Sequence, residues 1–352
     1  MTALADLLRA RIAQTGPITI ADYMADCLMH PDHGYYATRD PLGAAGDFIT
    51  APEISQMFGE LIGLALAQAW MDQGSPKDII LAELGPGRGT LMADALRATR
   101  SVPGFHAALH VHFVETSPVL RAAQAESVPN ATWHNQIGDL PHGPLFLIAN
   151  EFFDALPIRQ FIRDGAGWRE RMVGVQDGTL QVGLSAPAPL ALLEHRFDDT
   201  KDGDLVEICP TLPGITADIG NRIASHGGAA LIIDYGDWGS LGDTWQALSG
   251  HQKADPLAAP GQADLTAHVD FAEVARNCVP ARHSKLTTQG VFLERLGITQ
   301  RAQVLAKALQ GQTLQDHIAA HRRLTHPAEM GELFKVMSIY PAKAMPPPGL
   351  EP

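Results

Sequence analysis

The sequence predicts an α/β chain: a doubly wound, mostly parallel sheet, a helical N-terminal cover and a mainly helical region inserted late. Three observations carry this. Residues 79–84, 144–151 and 228–236 form apolar runs without polar alternation, as parallel strands covered on both faces require, and 110–115 is apolar-rich and ends in a carboxylate. Each run ends in polar or acidic residues, so several strands deliver polar groups to one sheet edge. Between the runs lie stretches with apolar residues at helical spacing.

Taken in order, residues 4–13 read as an amphipathic helix, and 17–24 as a turn into a second helix capped by Thr19. His30, Asp32 and His33 sit around Pro31 and Gly34, which favours a tight turn over a metal site, and no metal is expected. Residues 43–55 form a glycine-flanked loop ahead of a helix over 54–71, with Pro52 and Glu53 in its first turn. Such a loop is either a binding element or a connector. Residues 161–184 alternate and carry a Gln176-Asp177-Gly178 turn, which predicts an antiparallel hairpin. A linker at 186–189, a strand at 203–209 and a helix at 213–226 precede the strand at 228–236. The 236–260 stretch is Gly- and Asp-rich and reads as a long loop over the substrate side. Residues 273–321 read as helical around a 287–292 loop, with a closing strand near 333–339. The expected division is a cover at 1–75, a core at 76–236, a lid and helical region at 237–340 and a Pro-rich tail at 341–352.

The chain has 352 residues, 26 basic and 39 acidic, for a net charge of −13. That balance argues against nucleic acid as the main partner and fits a basic protein or peptide substrate. Three widely separated cysteines point to a reducing compartment and no metal centre. With no apolar run of about 18 residues there is no membrane span, and with no signal or organelle presequence the expected location is cytoplasmic.

The chemistry starts at Gly85-Pro86-Gly87-Arg88-Gly89. Glycines at this strand-to-helix turn let backbone approach a ligand, beside the free N–H groups of the following helix. A dinucleotide fingerprint spaces its glycines G-x-G-x-x-G, whereas here they run G-x-G-x-G behind Glu83, which disfavours a nicotinamide-dependent oxidoreductase. Glu115, 28 residues beyond Gly87, is either the acid that accepts both ribose hydroxyls of an adenosine-bearing ligand or a solvated strand-end acid. Glu151 and Asp154 stand within four residues after a buried strand, where two acids can grip a guanidinium and take its proton. The plainer readings are an ion-pair acid for Glu151 and a helix cap for Asp154. His268 is either a general base or a hydrogen-bonded structural histidine.

The glycine turn resembles motif I, and Glu115 motif II, of class I S-adenosylmethionine-dependent methyltransferases. A more specific resemblance rests on Gly46-Asp47-Phe48-Ile49-Thr50-Ala51-Pro52-Glu53-Ile54-Ser55, on Glu83-Leu84-Gly85-Pro86-Gly87-Arg88-Gly89-Thr90, and on Asn150-Glu151-Phe152-Phe153-Asp154-Ala155-Leu156-Pro157. Asp234-Tyr235-Gly236, 264–271, 288–293 and 330–336 agree. Over about residues 15–340 the sequence resembles the MidA family, which includes mitochondrial complex I assembly methyltransferases acting on protein arginine. The resemblance implies a class I Rossmann-like fold, S-adenosyl-L-methionine as cofactor, and symmetric dimethylation of arginine in a respiratory complex I subunit or bacterial counterpart, in assembly. A non-catalytic assembly factor that binds the cofactor is the alternative. With the residue reading, it gives a cofactor side of Asp47, Thr50, Glu83, Gly85, Gly87, Gly89, Glu115, Asp139 and Asn150. The catalytic pair is Glu151 and Asp154, and the substrate side is Asp234, Tyr235 and His268. Arginine methyltransferases of other kinds carry two glutamates where this chain has Glu and Asp, so only the position is carried over.

Overall fold

The structure, a computed structural model, describes residues 2–38, 50–250 and 252–352. The chain forms two compact units that cut across the four segments expected above. One gathers the described parts of 1–48, 154–212 and 239–270, and the other those of 49–153, 213–238 and 271–352. No helix among the described residues is long and apolar enough to cross a membrane.

The larger unit holds the predicted sheet. Its strands are β1 (Ile79–Leu84), β2 (Leu109–Val114), β3 (Thr132–His134), β4 (Leu145–Asn150), β5 (Gly228–Asp237) and β6 (Phe334–Tyr340). They lie in the order β3-β2-β1-β4-β5-β6. The first five are parallel, and β6 runs antiparallel to β5. The chain leaves β1 in one direction and returns as β4 on its other side, so the crevice for a ligand opens beyond the carboxyl ends of these two strands. Every residue of β1 and β4 is buried, which is why neither shows polar alternation.

Close helix packing covers one face. In the helix Gln56–Asp72, a Cβ at Gly59 would lie 2.8 Å from the Leu91 carbonyl, and one at Gly63 would lie 2.6 Å from the Ala95 Cα. Only glycine lets this helix sit so near the helix Thr90–Ala98. Glu60 ties three helices together. Its carboxylate accepts from Arg97 at 2.7 Å and from Arg301 at 2.7 and 3.0 Å, with Gln56 adding a bond at 3.1 Å. The helix expected over 54–71 is broken at Ser55, which is extended and caps the second part by accepting from the Met57 N–H. The loop expected over 287–292 is instead a two-residue pairing onto β6 followed by the helix Gln289–Arg295.

The smaller unit is built on Ile18–Thr19, Gly167–Gln176, Arg159–Asp164 and Leu205–Ile208, with Thr179–Leu184 added to the second. The predicted hairpin closes through Asp177 and Gly178, both at positive φ, as a tight two-residue turn demands. Thr19 and Asp22 form a reciprocal capping box on the helix Ile20–Met29. The described part of the expected 236–260 loop is more ordered than expected. Gln246–Ser249 and Gln252–Ala254 pair with each other, and the former also pairs with Asp264–Thr266, so three short strands form. Ala247 and Leu265 are the buried apolar positions; apolar stretches this short are lost among flanking glycines and acids.

Candidate functional site

Parallel register brings the carboxyl ends of four strands level. Leu84 pairs with Val114 on one side and Ala149 on the other, and Ile233 pairs with Asn150. Gly85, Glu115, Glu151 and Asp234 therefore follow one another along the same edge.

At the centre is the glycine turn. Gly85, Gly87 and Gly89 have φ of 56°, 54° and 79°. A Cβ at Gly85 would approach the Phe152 ring to 3.0 Å. Glu83, two residues earlier, is buried, and its Oε2 has no hydrogen-bond partner among the described residues. Burial pushes its carboxyl well above the usual carboxylate range.

Glu115 ends β2 and turns back on its own chain. Its Oε1 accepts from the Thr116 and Ser117 N–H groups at 2.8 and 2.7 Å, and its Oε2 accepts from the Gln124 amide at 3.3 Å. Burial raises its pKa, and these donors with Arg121 oppose the rise. Of a carboxylate's roughly four lone-pair sites, three are in use, leaving one for an incoming hydroxyl where the sequence reading allowed two. Arg121 also binds the Glu115 carbonyl and the Asn135 Oδ1, closing β2 against the chain after β3.

On the other side of β1, Glu151 sits at φ +51°, a conformation a glutamate adopts only when its surroundings impose it. Those surroundings are visible. Its N–H donates to the Ile233 carbonyl, and its Oε1 accepts from Ala51 N at 3.1 Å and Asn150 Nδ2 at 3.2 Å. Thr50 is thus one residue from a direct contact with Glu151 and serves as N-cap of the helix Ala51–Ile54. Asn150 is buried, and its Oδ1 has no partner among the described residues. Asp234, fully buried, accepts from the N–H groups of Phe152 at 3.2 Å, Phe153 at 3.0 Å and Tyr235 at 3.0 Å. Its oxygens meet backbone, and they fix the turn that carries Glu151. Tyr235 is half-buried and packs edge-on to Phe334, with centroids 5.4 Å apart.

The remaining candidates lie elsewhere. Asp139 is exposed at the end of the 3₁₀ turn Ile137–Asp139, with Gln136 as its partner. Asp154 and His268 belong to the smaller unit. The Asp154 carbonyl accepts from Ala267 N at 3.0 Å, and no helix starts at Ala155 for Asp154 to cap. Tyr36, whose hydroxyl donates to Asp264 at 2.7 Å, is pushed well up by burial and by the charges of Asp264 and Asp154. The His268 backbone N–H donates to the Thr244 hydroxyl at 2.8 Å. Asp47 lies outside the described residues. Sequence reasoning missed Gln124, Trp133 and Arg121, because an isolated polar residue on a helix or short strand carries no motif.

The chain is similar to known methyltransferases. The profile of the S-adenosyl-L-methionine-dependent methyltransferases matches residues 61–291. The mitochondrial protein arginine methyltransferase NDUFAF7 of Xenopus laevis is 39% identical, covering 96% of this chain and 84% of the relative. The human protein of that name is 38% identical, over 95% and 82%. Among solved structures, a COG1565 superfamily member from Burkholderia thailandensis, bound to S-adenosyl-homocysteine, superposes with a TM-score of 0.83 at 28% identity, over 99% of this chain and 94% of that one.

Proposed function

The chain belongs to the MidA family of S-adenosyl-L-methionine-dependent methyltransferases, and from that premise we propose that it methylates arginine side chains of a protein. The cofactor fits the residues present. Gly85, Gly87 and Gly89 are all at positive φ and carry no Cβ, so backbone can approach a ligand there, and Glu83 Oε2 and Asn150 Oδ1 are buried acceptors that an ammonium and neighbouring donors would satisfy. Gly85, Gly87 and Gly89 would hold the methionine end, and Glu115 the ribose. Thr50, Asp139 and Asp47 complete the proposed cofactor side.

The cofactor, when bound, supplies an electrophilic methyl on a sulfonium. The protein's part is positioning and charge. Glu151 would accept the guanidinium N–H groups, orient one nitrogen toward the transferable methyl, and receive the proton that this nitrogen gives up on methylation. A guanidinium holds its protons to a pKa above about 12, so a nearby carboxylate is needed to receive one. The observation that carries the assignment is Glu151 itself, held at positive φ by Ala51, Asn150, Ile233 and the Asp234-bound turn. Tyr235, in the same unit, joins it on the proposed substrate side. The family resemblance and the relatives' printed names support arginine, and the resemblance supports symmetric dimethylation of a respiratory complex I subunit or its bacterial counterpart.

The test is methyl transfer from labelled S-adenosyl-L-methionine to arginine-bearing protein, with products resolved by mass spectrometry. Glu151→Gln keeps the Oε1 acceptor. It should bind S-adenosylhomocysteine as the parent does and lose transfer by more than about 100-fold. Transfer within about tenfold of the parent, roughly 1.4 kcal/mol of barrier, removes Glu151 from the mechanism. Transfer to lysine alone removes the arginine reading.

A further inference from the structure

The helix Pro118–Ser127 carries a glutamine, Gln124, that is fully buried. A buried primary amide is costly unless each of its polar groups is bonded, and here each has a partner. Its Oε1 accepts from the Trp133 indole N–H at 2.8 Å. Its Nε2 donates to the Gly87 carbonyl at 2.7 Å and to Glu115 Oε2 at 3.3 Å. The orientation of the amide follows from the partners. An indole N–H can only donate, while a carbonyl and a carboxylate only accept, so the amide has one arrangement that satisfies all three.

Gln124 therefore bonds at once to the middle of the glycine turn and to the acid at the end of β2, two elements 28 residues apart in sequence. The helix lies directly behind the turn: a Cβ at Gly89 would be 3.6 Å from the Gln124 Cα. With Oε1 of Glu115 tied to the Thr116 and Ser117 N–H groups, the Gln124 bond sets the remaining rotation of the carboxylate. A leucine here would fill the space and leave the Gly87 carbonyl and the Trp133 N–H unpaired. A glutamate would face Glu115 and the Gly87 carbonyl with like charge.

We propose that Gln124, oriented by Trp133, is a positioning residue that locks the glycine turn and the Glu115 carboxylate into one geometry and so sets the enzyme's preference for an intact ribose in its cofactor. The proposal rests on Glu115 being the ribose acid, and the experiment separates the two. Calorimetry would give the Kd of S-adenosylhomocysteine and of its 2′,3′-dideoxyribose analogue, for the parent, Gln124→Leu, Trp133→Phe and Glu115→Ala, each checked for a cooperative melt. The parent should prefer the intact ribose by about 100-fold, because a site built to bond hydroxyls rejects a ligand lacking them. Gln124→Leu should reduce that preference to within about fivefold, and Trp133→Phe to an intermediate value. Trp133→Phe keeps the ring, so it carries the test if Gln124→Leu does not fold. Equal weakening of both ligands, with the preference intact in both variants, would overturn the proposal and leave Gln124 a packing residue. A preference that survives Glu115→Ala would overturn the ribose reading, and the proposal with it.

Discussion

Glu60 and Glu83 are two glutamates of the same unit, buried to almost the same degree, at 2% and 3% exposed. Their chemistry is opposite. Burial pushes the Glu60 carboxyl up, but the Arg301 and Arg97 guanidiniums outweigh it, and the pKa falls below the usual value. Glu83 has burial alone, and its carboxyl is driven well up. A helix-to-helix strut is finished by its own neighbours. Glu83, near the carboxyl end of a central strand, has no charge partner among the described residues. Burial by itself separates neither role; the partner does.

The largest expected effect sharpens the contrast at Glu83. Glu83→Gln should weaken S-adenosylhomocysteine binding about 100-fold, near 2.7 kcal/mol, by calorimetry. It should also raise the melting temperature of the unliganded protein at neutral pH. The sign is fixed by the raised folded pKa: Glu83 contributes its stability below the unfolded value near 4.3 and loses it as pH rises, so removing the acid removes that loss. A variant that melts lower and binds normally would put Glu83 with Glu60.

Next is the strut. Arg97→Ala with Arg301→Ala leaves a buried carboxylate without charge partners and should cost about 2–3 kcal/mol in urea unfolding. That figure is below the usual range for a broken buried pair because both guanidiniums are more than a third exposed and already share their charge with water. Cofactor affinity of the refolded protein should stay within about twofold. A large loss of affinity would make the strut part of the site.

The smallest effect is in pH. His112 and His134 join β2 to β3 through a ring-nitrogen bond of 2.9 Å. Burial, then the His134 charge, lowers the His112 pKa to about 4. A histidine held neutral in the fold contributes stability above its unfolded pKa near 6.5 and loses it as pH falls toward 4. His112→Phe should flatten the decline of melting temperature over that window. An unchanged slope would show that His112 takes up its proton over the same pH range in the folded and unfolded states.

The sheet was legible because β1 and β4 are unbroken apolar runs ending in polar groups, a pattern that leaves few other placements. Glu115 and Glu151 were legible for the same reason, as strand ends. Asp234 was readable as an important acid but not as one whose oxygens bind the 152–153 turn, because register across two strands decides that contact. Gln124 was not legible, since its three partners come from the glycine turn, β2 and β3 and meet only in space. The three strands within 246–266 escaped because each offers too few alternating residues to stand out.

The interleaved make-up of the smaller unit has a consequence for synthesis. Ile18 pairs with Val173, and Tyr36 bonds Asp264. On a ribosome making roughly 5–20 residues each second, the first strand waits on the order of ten to thirty seconds for its partner. During that wait Leu4, Leu8, Ile12 and Ile20, all core residues in the finished protein, have no native surface to cover them. Residues 4–20 therefore gain their full native cover only after residues 173 and 264 have been made.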